Sequence, residues 1–102
     1  MLMPETITVI ARIRARTGKE PETRQLLTGL IGPTRNEQGC ISYDLFAMPD
    51  NPGSYMFIET WQSRKHLSVH LQQPHVQALI KRSDELLAEP LDVSLWEHIN
   101  GQ

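Results

Sequence analysis

The order of periodicities along this chain predicts an α+β fold. Three features carry that reading: period-two stretches at both ends, helical-period stretches inside them, and a turn-rich joint between two central strands. The 102 residues fit one domain spanning the whole of 1–102, since a second core would need more chain. A domain of this size buries roughly two-thirds of its unfolded-chain surface, enough to fold without metals or disulfides.

Glu5 to Arg16 reads as a strand. Ile7, Val9, Ala11, Ile13 and Ala15 alternate with Thr8, Ile10, Arg12, Arg14 and Arg16, the repeat that a pleated backbone imposes. Thr17-Gly18 breaks it. From Glu20 to about Thr34 the period lengthens, and Leu26, Leu27, Leu30 and Ile31 form a helical stripe. Pro21 suits the first turn, Glu20 and Glu22 suit the positive end of the dipole, and Gly29, Gly32 and Pro33 predict a kink or early stop.

Cys40 to Met48 is a second strand, with Ile41, Tyr43 and Leu45 assigned to one face and Phe46 and Met48 to the other. Pro49-Asp50-Asn51-Pro52-Gly53 is dense turn chemistry, and Tyr55 to Gln62 completes a hairpin. Ser63 is placed to cap a short helix from Arg64 to about Leu71. Pro74 opens another helix carrying Val76, Leu79, Ile80, Leu86 and Leu87, which Pro90 stops. Leu91, Val93, Leu95, Glu97 and Ile99 alternate as a last strand.

A hairpin flanked by two strand–helix units is the ferredoxin-like split βαβ arrangement, with helices on one sheet face. The central strands nevertheless carry apolar residues on both faces: Tyr43 and Leu45 against Phe46, and Met56 and Ile58 against Phe57 and Trp61. A homodimer packed sheet on sheet would cover the second face. The alternative is a monomer with a few exposed apolar residues.

Composition narrows the function classes. Hydrophobic residues at 39% and charged residues at 22% are ordinary for a globular protein. A net charge of −2 gives no electrostatic footprint for nucleic acid or an anionic membrane. The apolar runs are too short to span a bilayer. The opening Met-Leu-Met-Pro-Glu lacks the blocks of a signal peptide, and one cysteine, Cys40, forms no internal disulfide. A cytoplasmic location is therefore expected.

Few residues suggest chemistry. His66 and His70 stand four apart on one helix face and His75 follows, but no ordered set of Cys, Asp or Glu completes a metal constellation, so no metal is expected. There is no phosphate-binding glycine loop and no nucleophile elbow. On the third strand Tyr55, Phe57, Glu59 and Trp61 point the same way, which sets a carboxylate among aromatics. Burial would raise the pKa of Glu59 toward proton-transfer use, and an ion pair with an arginine is the competing role. His70 lies on the segment that must fold over this strand, where it can act as acid or base or serve as a satisfied polar residue. His75, at a helix start, is assigned to substrate positioning or capping.

At this point the residues resemble a family. Thr34-Arg35-Asn36-Glu37-Gln38-Gly39-Cys40-Ile41-Ser42-Tyr43 is similar to the Thr-Arg-x-Glu-x-Gly-Cys-x-x-Tyr segment of the antibiotic biosynthesis monooxygenases. Glu59-Thr60-Trp61, His70 and Pro74-His75 match the family's Glu-x-Trp, His and Pro-His positions in order, within a resemblance running from about Ile7 to Glu97. The resemblance implies a dimeric α+β barrel of ferredoxin-like protomers, each with a pocket between sheet and helices. It also implies cofactor-independent oxidation of polycyclic phenols or quinols, haem degradation, or isomerisation of a phosphorylated sugar. Haem-degrading members need an Asn on the first strand, and Thr6 to Arg16 contains none.

The leading expectation is a cofactor-independent monooxygenase that uses O2 on a small quinol-like aromatic. His70, Glu59 and Trp61 are the catalytic candidates, and Phe57, Tyr43 and His75 would hold substrate. Oxygen is a ground-state triplet, so the protein must supply a base, a dry pocket and orientation to an electron-rich substrate. A His/Glu proton-transfer isomerase and a non-catalytic binding dimer are the alternatives.

Overall fold

A computed structural model describes residues 6–99. The elements run β1 (Ile7–Arg14), α1 (Glu20–Gly29), α2 (Ile31–Arg35), β2 (Cys40–Ala47), β3 (Ser54–Trp61), α3 (Arg64–Leu71), α4 (Pro74–Lys81), α5 (Ser83–Leu86) and β4 (Asp92–Trp96). One four-stranded sheet has the order β2-β3-β1-β4, and each neighbouring pair is antiparallel. This is the ferredoxin-like α+β arrangement expected from the order of periodicities.

The differences lie at element ends and joints. Glu5, placed in the first strand, is outside the described residues. The helix expected over 20–34 is two helices joined at Leu30, whose φ of −78° and ψ of −22° keep the chain right-handed through the joint. Pro33 falls in the first turn of α2, where its missing N–H costs nothing. The helix expected from Pro74 to Pro90 breaks at Arg82, where the Ser83 hydroxyl donates back to the Ile80 carbonyl at 2.8 Å. β4 ends at Trp96 opposite Thr8, close to the start of β1.

β2 carries one further correction. The register shifts between Cys40, opposite Trp61, and Ser42, opposite Thr60, so Ile41 is an extra residue. The bulge turns Ile41 to solvent and sends Cys40 and Tyr43 to the helix side. Ile41 therefore does not share a face with Tyr43.

The core fills the space between the sheet and the helices. Ile7, Val9, Ala11 and Ile13 of β1 pack with Leu27, Leu30, Leu67, Leu79 and Leu86. The opposite face is open: Ile10, Met56 and Ile58 are half-buried, while Phe46 is 48% and Trp96 57% exposed. Among the described residues no helix is long and apolar enough to cross a membrane.

Candidate functional site

Alternation along β3 places Tyr55, Phe57, Glu59 and Trp61 on the helix-covered face, all buried. Residues two apart on a strand share a face, and here that brings the Trp61 indole N–H to the Glu59 Oε1 at 2.9 Å. No arginine pairs with Glu59 among the described residues, and Arg35 pairs with Asp44 at 3.0 Å. Burial pushes the Glu59 carboxyl up to about 7; the indole N–H works against this and the charge of Glu37 adds to it.

His70 comes down on this strand from α3. Ser63, extended, caps that helix by accepting the His66 backbone N–H, as its sequence position suggested. His70 is 3% exposed, its ring lies 4.6 Å from that of Trp61, and Tyr43 meets it edge-on at 5.7 Å. Tyr43 also stacks on Phe57 at 4.6 Å. Burial first, with the Glu59 charge adding, lifts the Tyr43 hydroxyl well above its ordinary range, so it stays protonated. Trp61, Phe57 and Tyr43 are each at most 2% exposed: Tyr43 packs on Phe57 and Trp61 on His70, so the three rings face protein and not an open slot.

The residue that organises the cluster is Glu37, in the turn between α2 and β2. Its Oε2 lies 2.8 Å from His70 Nδ1 and 2.7 Å from His75 Nε2, tying that turn to α3 and α4. Burial lowers the His70 pKa, against the hydrogen bond and charge of Glu37 that raise it. Sequence reasoning met Glu37 only as a letter in the family segment. The signal available was indirect: a buried histidine needs an acceptor, and Glu37 precedes a glycine that turns the chain into β2.

His66 does not join the cluster. Its Nδ1 lies 2.8 Å from the Ser63 hydroxyl. Gly39, at φ +86°, brings the backbone so close that an added Cβ would sit 2.3 Å from ring carbons of His66. His70 and His75, the two histidines given roles from the sequence, are brought together from successive helices by Glu37. A cavity of about 580 Å³ lined by Asn36, Glu37, Gln38, Lys65, His66, Val69 and Gln73 opens beside Glu37. A second, of about 450 Å³, reaches His75 between Leu26, Leu30 and Ala78.

Residues 6–82 match the model of a family described as antibiotic biosynthesis monooxygenase. The chain belongs to that family. It is 37% identical over 93 residues to "Putative monooxygenase Rv0793" of Mycobacterium tuberculosis, a match spanning 91% of each protein. The solved structure of Rv0793 superposes with a TM-score of 0.86, covering 92% of this chain and 95% of that one at 35% identity. "Probable quinol monooxygenase YgiN" of Escherichia coli is 35% identical over 82 residues, 71% of this chain and 79% of its own. "Uncharacterized protein sll1783" of Synechocystis is 31% identical over 91% of this chain, which spans only 63% of that relative's length. The Glu37, Glu59, Trp61, His70 and His75 cluster lies wholly within the matched span.

Proposed function

We propose that this member of the family is a monooxygenase that oxidises a small quinol-like or polycyclic aromatic substrate with O2, drawing on its own side chains for the proton movements. The observation that carries this reading is the buried Glu37–His70 pair set against Trp61. A carboxylate that accepts the Nδ1–H of a neutral imidazole leaves Nε2 with the lone pair, which is how a histidine is held ready as a base. His70 removes the hydroxyl proton of the substrate. The resulting electron-rich anion passes one electron to O2, and the radical pair joins through a carbon–oxygen bond as a peroxide. Glu59, with a pKa near neutrality in a dry site, returns a proton to that peroxide. The hydrogen on the same carbon then passes to Glu59 as the O–O bond breaks, and the departing hydroxide takes the proton held by His70 and leaves as water, which yields the quinone and resets both groups. Trp61 and Tyr43 hold the His70 ring in place from two sides, Phe57 backs Tyr43, and His75 positions the substrate from the start of α4. The name carried by YgiN favours a quinol as the first substrate class to try.

A second copy of the chain covers the open sheet face in this reading, because Phe46 and Trp96 are exposed beside half-buried Ile10, Met56 and Ile58.

Oxygen uptake by metal-stripped protein across a panel of hydroquinols tests the proposal, with uptake above the uncatalysed rate as the expected result. No such uptake from any member would sink it. Turnover under strict anaerobiosis would instead mark a proton-transfer isomerase, and a ligand recovered unchanged after raising the melting temperature would mark a binding module.

A further inference from the structure

We propose that Glu37, His70 and His75 form a binding site for one divalent first-row transition-metal ion, with Zn2+ as its natural probe. Each residue offers one ligand atom, and the three atoms lie within 4.8 Å of one another. Two of the separations, 2.8 and 2.7 Å, converge on the same carboxylate oxygen. An ion bound at about 2.1 Å from each ligand holds neighbouring ligand atoms about 3–3.5 Å apart, so small side-chain movements complete the shell.

Burial distinguishes this trio from the acidic and imidazole groups scattered over any surface. The side chains of Glu37, His70 and His75 are 12%, 4% and 21% exposed. They come from a turn and two separate helices, so the fold has already met the entropy cost of bringing them together. For the ion to enter, each imidazole moves its N–H to the other ring nitrogen and presents a lone pair where it now donates to Glu37. The carboxylate then meets a cation instead of two N–H groups. One cavity reaches Glu37 and another reaches His75, so two of the three ligands can be approached from outside.

The donor set selects the class of ion. Two imidazoles and one carboxylate suit Zn2+, Co2+, Ni2+ or Fe2+, whereas Mg2+ and Ca2+ take oxygen shells and Cu(I) takes thiolates. Cys40 is not among the converging atoms. The inference does not rest on the proposed oxygenation, since binding is read directly and a chain inactive on every quinol can still hold the ion.

The test uses the full chain after chelator treatment, titrated with Zn2+ by calorimetry and with Co2+ by visible absorption and proton NMR of the histidine rings. One equivalent should bind and raise the melting temperature, reversibly with EDTA. Glu37→Gln and His75→Ala should each weaken Zn2+ binding about 100-fold or more. His98→Ala, which removes an exposed histidine, should leave it unchanged. Co2+ should perturb the rings of His70 and His75 before those of His66 and His98, a readout on the wild-type chain that stands even if a variant fails to fold. Absence of stoichiometric binding, binding that survives both ligand substitutions, or first perturbation at His66 or His98 would overturn the site.

Discussion

The two faces of β3 share one backbone and differ in everything else. On the helix side Tyr55, Phe57, Glu59 and Trp61 are buried; on the other Ser54, Met56, Ile58 and Thr60 are half-buried at most. On the first face burial lifts a carboxylate to about 7. On the second, Arg12 and Arg14 of the adjoining strand are exposed, and Arg14 reaches the Ser54 hydroxyl at 2.7 Å. A single-residue alternation therefore separates a dry, tunable environment from a wet surface. The chemistry of Glu59 belongs to its face more than to its identity.

Truncation on each face is the sharpest way to break that contrast. Trp61→Ala empties a fully buried site and donates nothing to Glu59, so it should cost about 3–5 kcal/mol in urea unfolding. That is a large share of a small domain's stability. Met56→Ala, half-buried on the open face, should cost about 1 kcal/mol in the isolated chain. Equal losses at the two positions would end the distinction.

Acid titration comes next in size. Glu59 ionises at about 7 in the folded chain and near its ordinary 4.5 in the unfolded one. Between those values the folded state keeps a proton that the unfolded state has lost, so this group makes stability fall as pH rises through the window. The full change is about 3 kcal/mol. His70 acts in the opposite direction: its lowered pKa gives stability that is present above the ordinary 6.5 and lost as pH falls below it. Unfolding free energies measured from pH 4 to 8 for the wild type and Glu59→Gln isolate the first effect. The variant should lose the decline, and parallel curves would show that Glu59 is not desolvated.

On the reaction, His70→Ala should lower turnover by roughly 10²-fold with the chain still folded, the usual contribution of a positioned acid or base. His66→Ala should leave turnover near the wild-type value. Comparable rates for His70→Ala and the wild type would return His70 to a structural role and leave Glu59 as the candidate base.

How much of this was legible in the sequence depends on the range of the forces involved. Strand alternation in β1 and β3 and the Ser63 cap are set by neighbours, and the sequence placed them well. The shared face of Glu59 and Trp61 followed from alternation alone. The bulge at Ile41 did not, because one extra residue leaves period-two patterning intact on either side. The break at Arg82 turns on a single hydroxyl that satisfies the Ile80 carbonyl. Glu37 was the largest omission: its partners lie 33 and 38 residues away, on helices whose placement over the sheet no local pattern encodes. The same packing brings His75 within reach of His70 through that carboxylate, a juxtaposition the sequence did not show.

Gly39 sharpens the boundary between the cluster and its surroundings at a smaller scale. An alanine there meets the His66 ring and must hold φ at +86°, which a Cβ disfavours by roughly 1–2 kcal/mol. Gly39→Ala should therefore destabilise the chain. Adding His66→Ala should recover only the part due to the ring, because the Cβ of residue 66 stays 2.7 Å from the added methyl, and a double variant no better than the single would show that the ring yields freely.

The smallest expected effect in the isolated chain lies on the open face, and it is also the one that tests the second copy. Phe46 is 48% exposed opposite Met56, so Phe46→Ser removes little buried surface within one chain and should change its stability by about 0.5 kcal/mol or less. A sheet-on-sheet partner changes that outcome. An interface stable in solution buries at least about 1,000 Å² in total, and a ring near its centre contributes far more there than it does alone. Sedimentation at micromolar concentration should then give a dimer for the wild type and a concentration-dependent shift toward monomer for Phe46→Ser. Ile80→Ser, 41% exposed on α4 at the helix side, should leave the dimer intact. A wild-type chain sedimenting only as an 11.7 kDa species would remove the partner, and the open face would be a tolerated apolar surface.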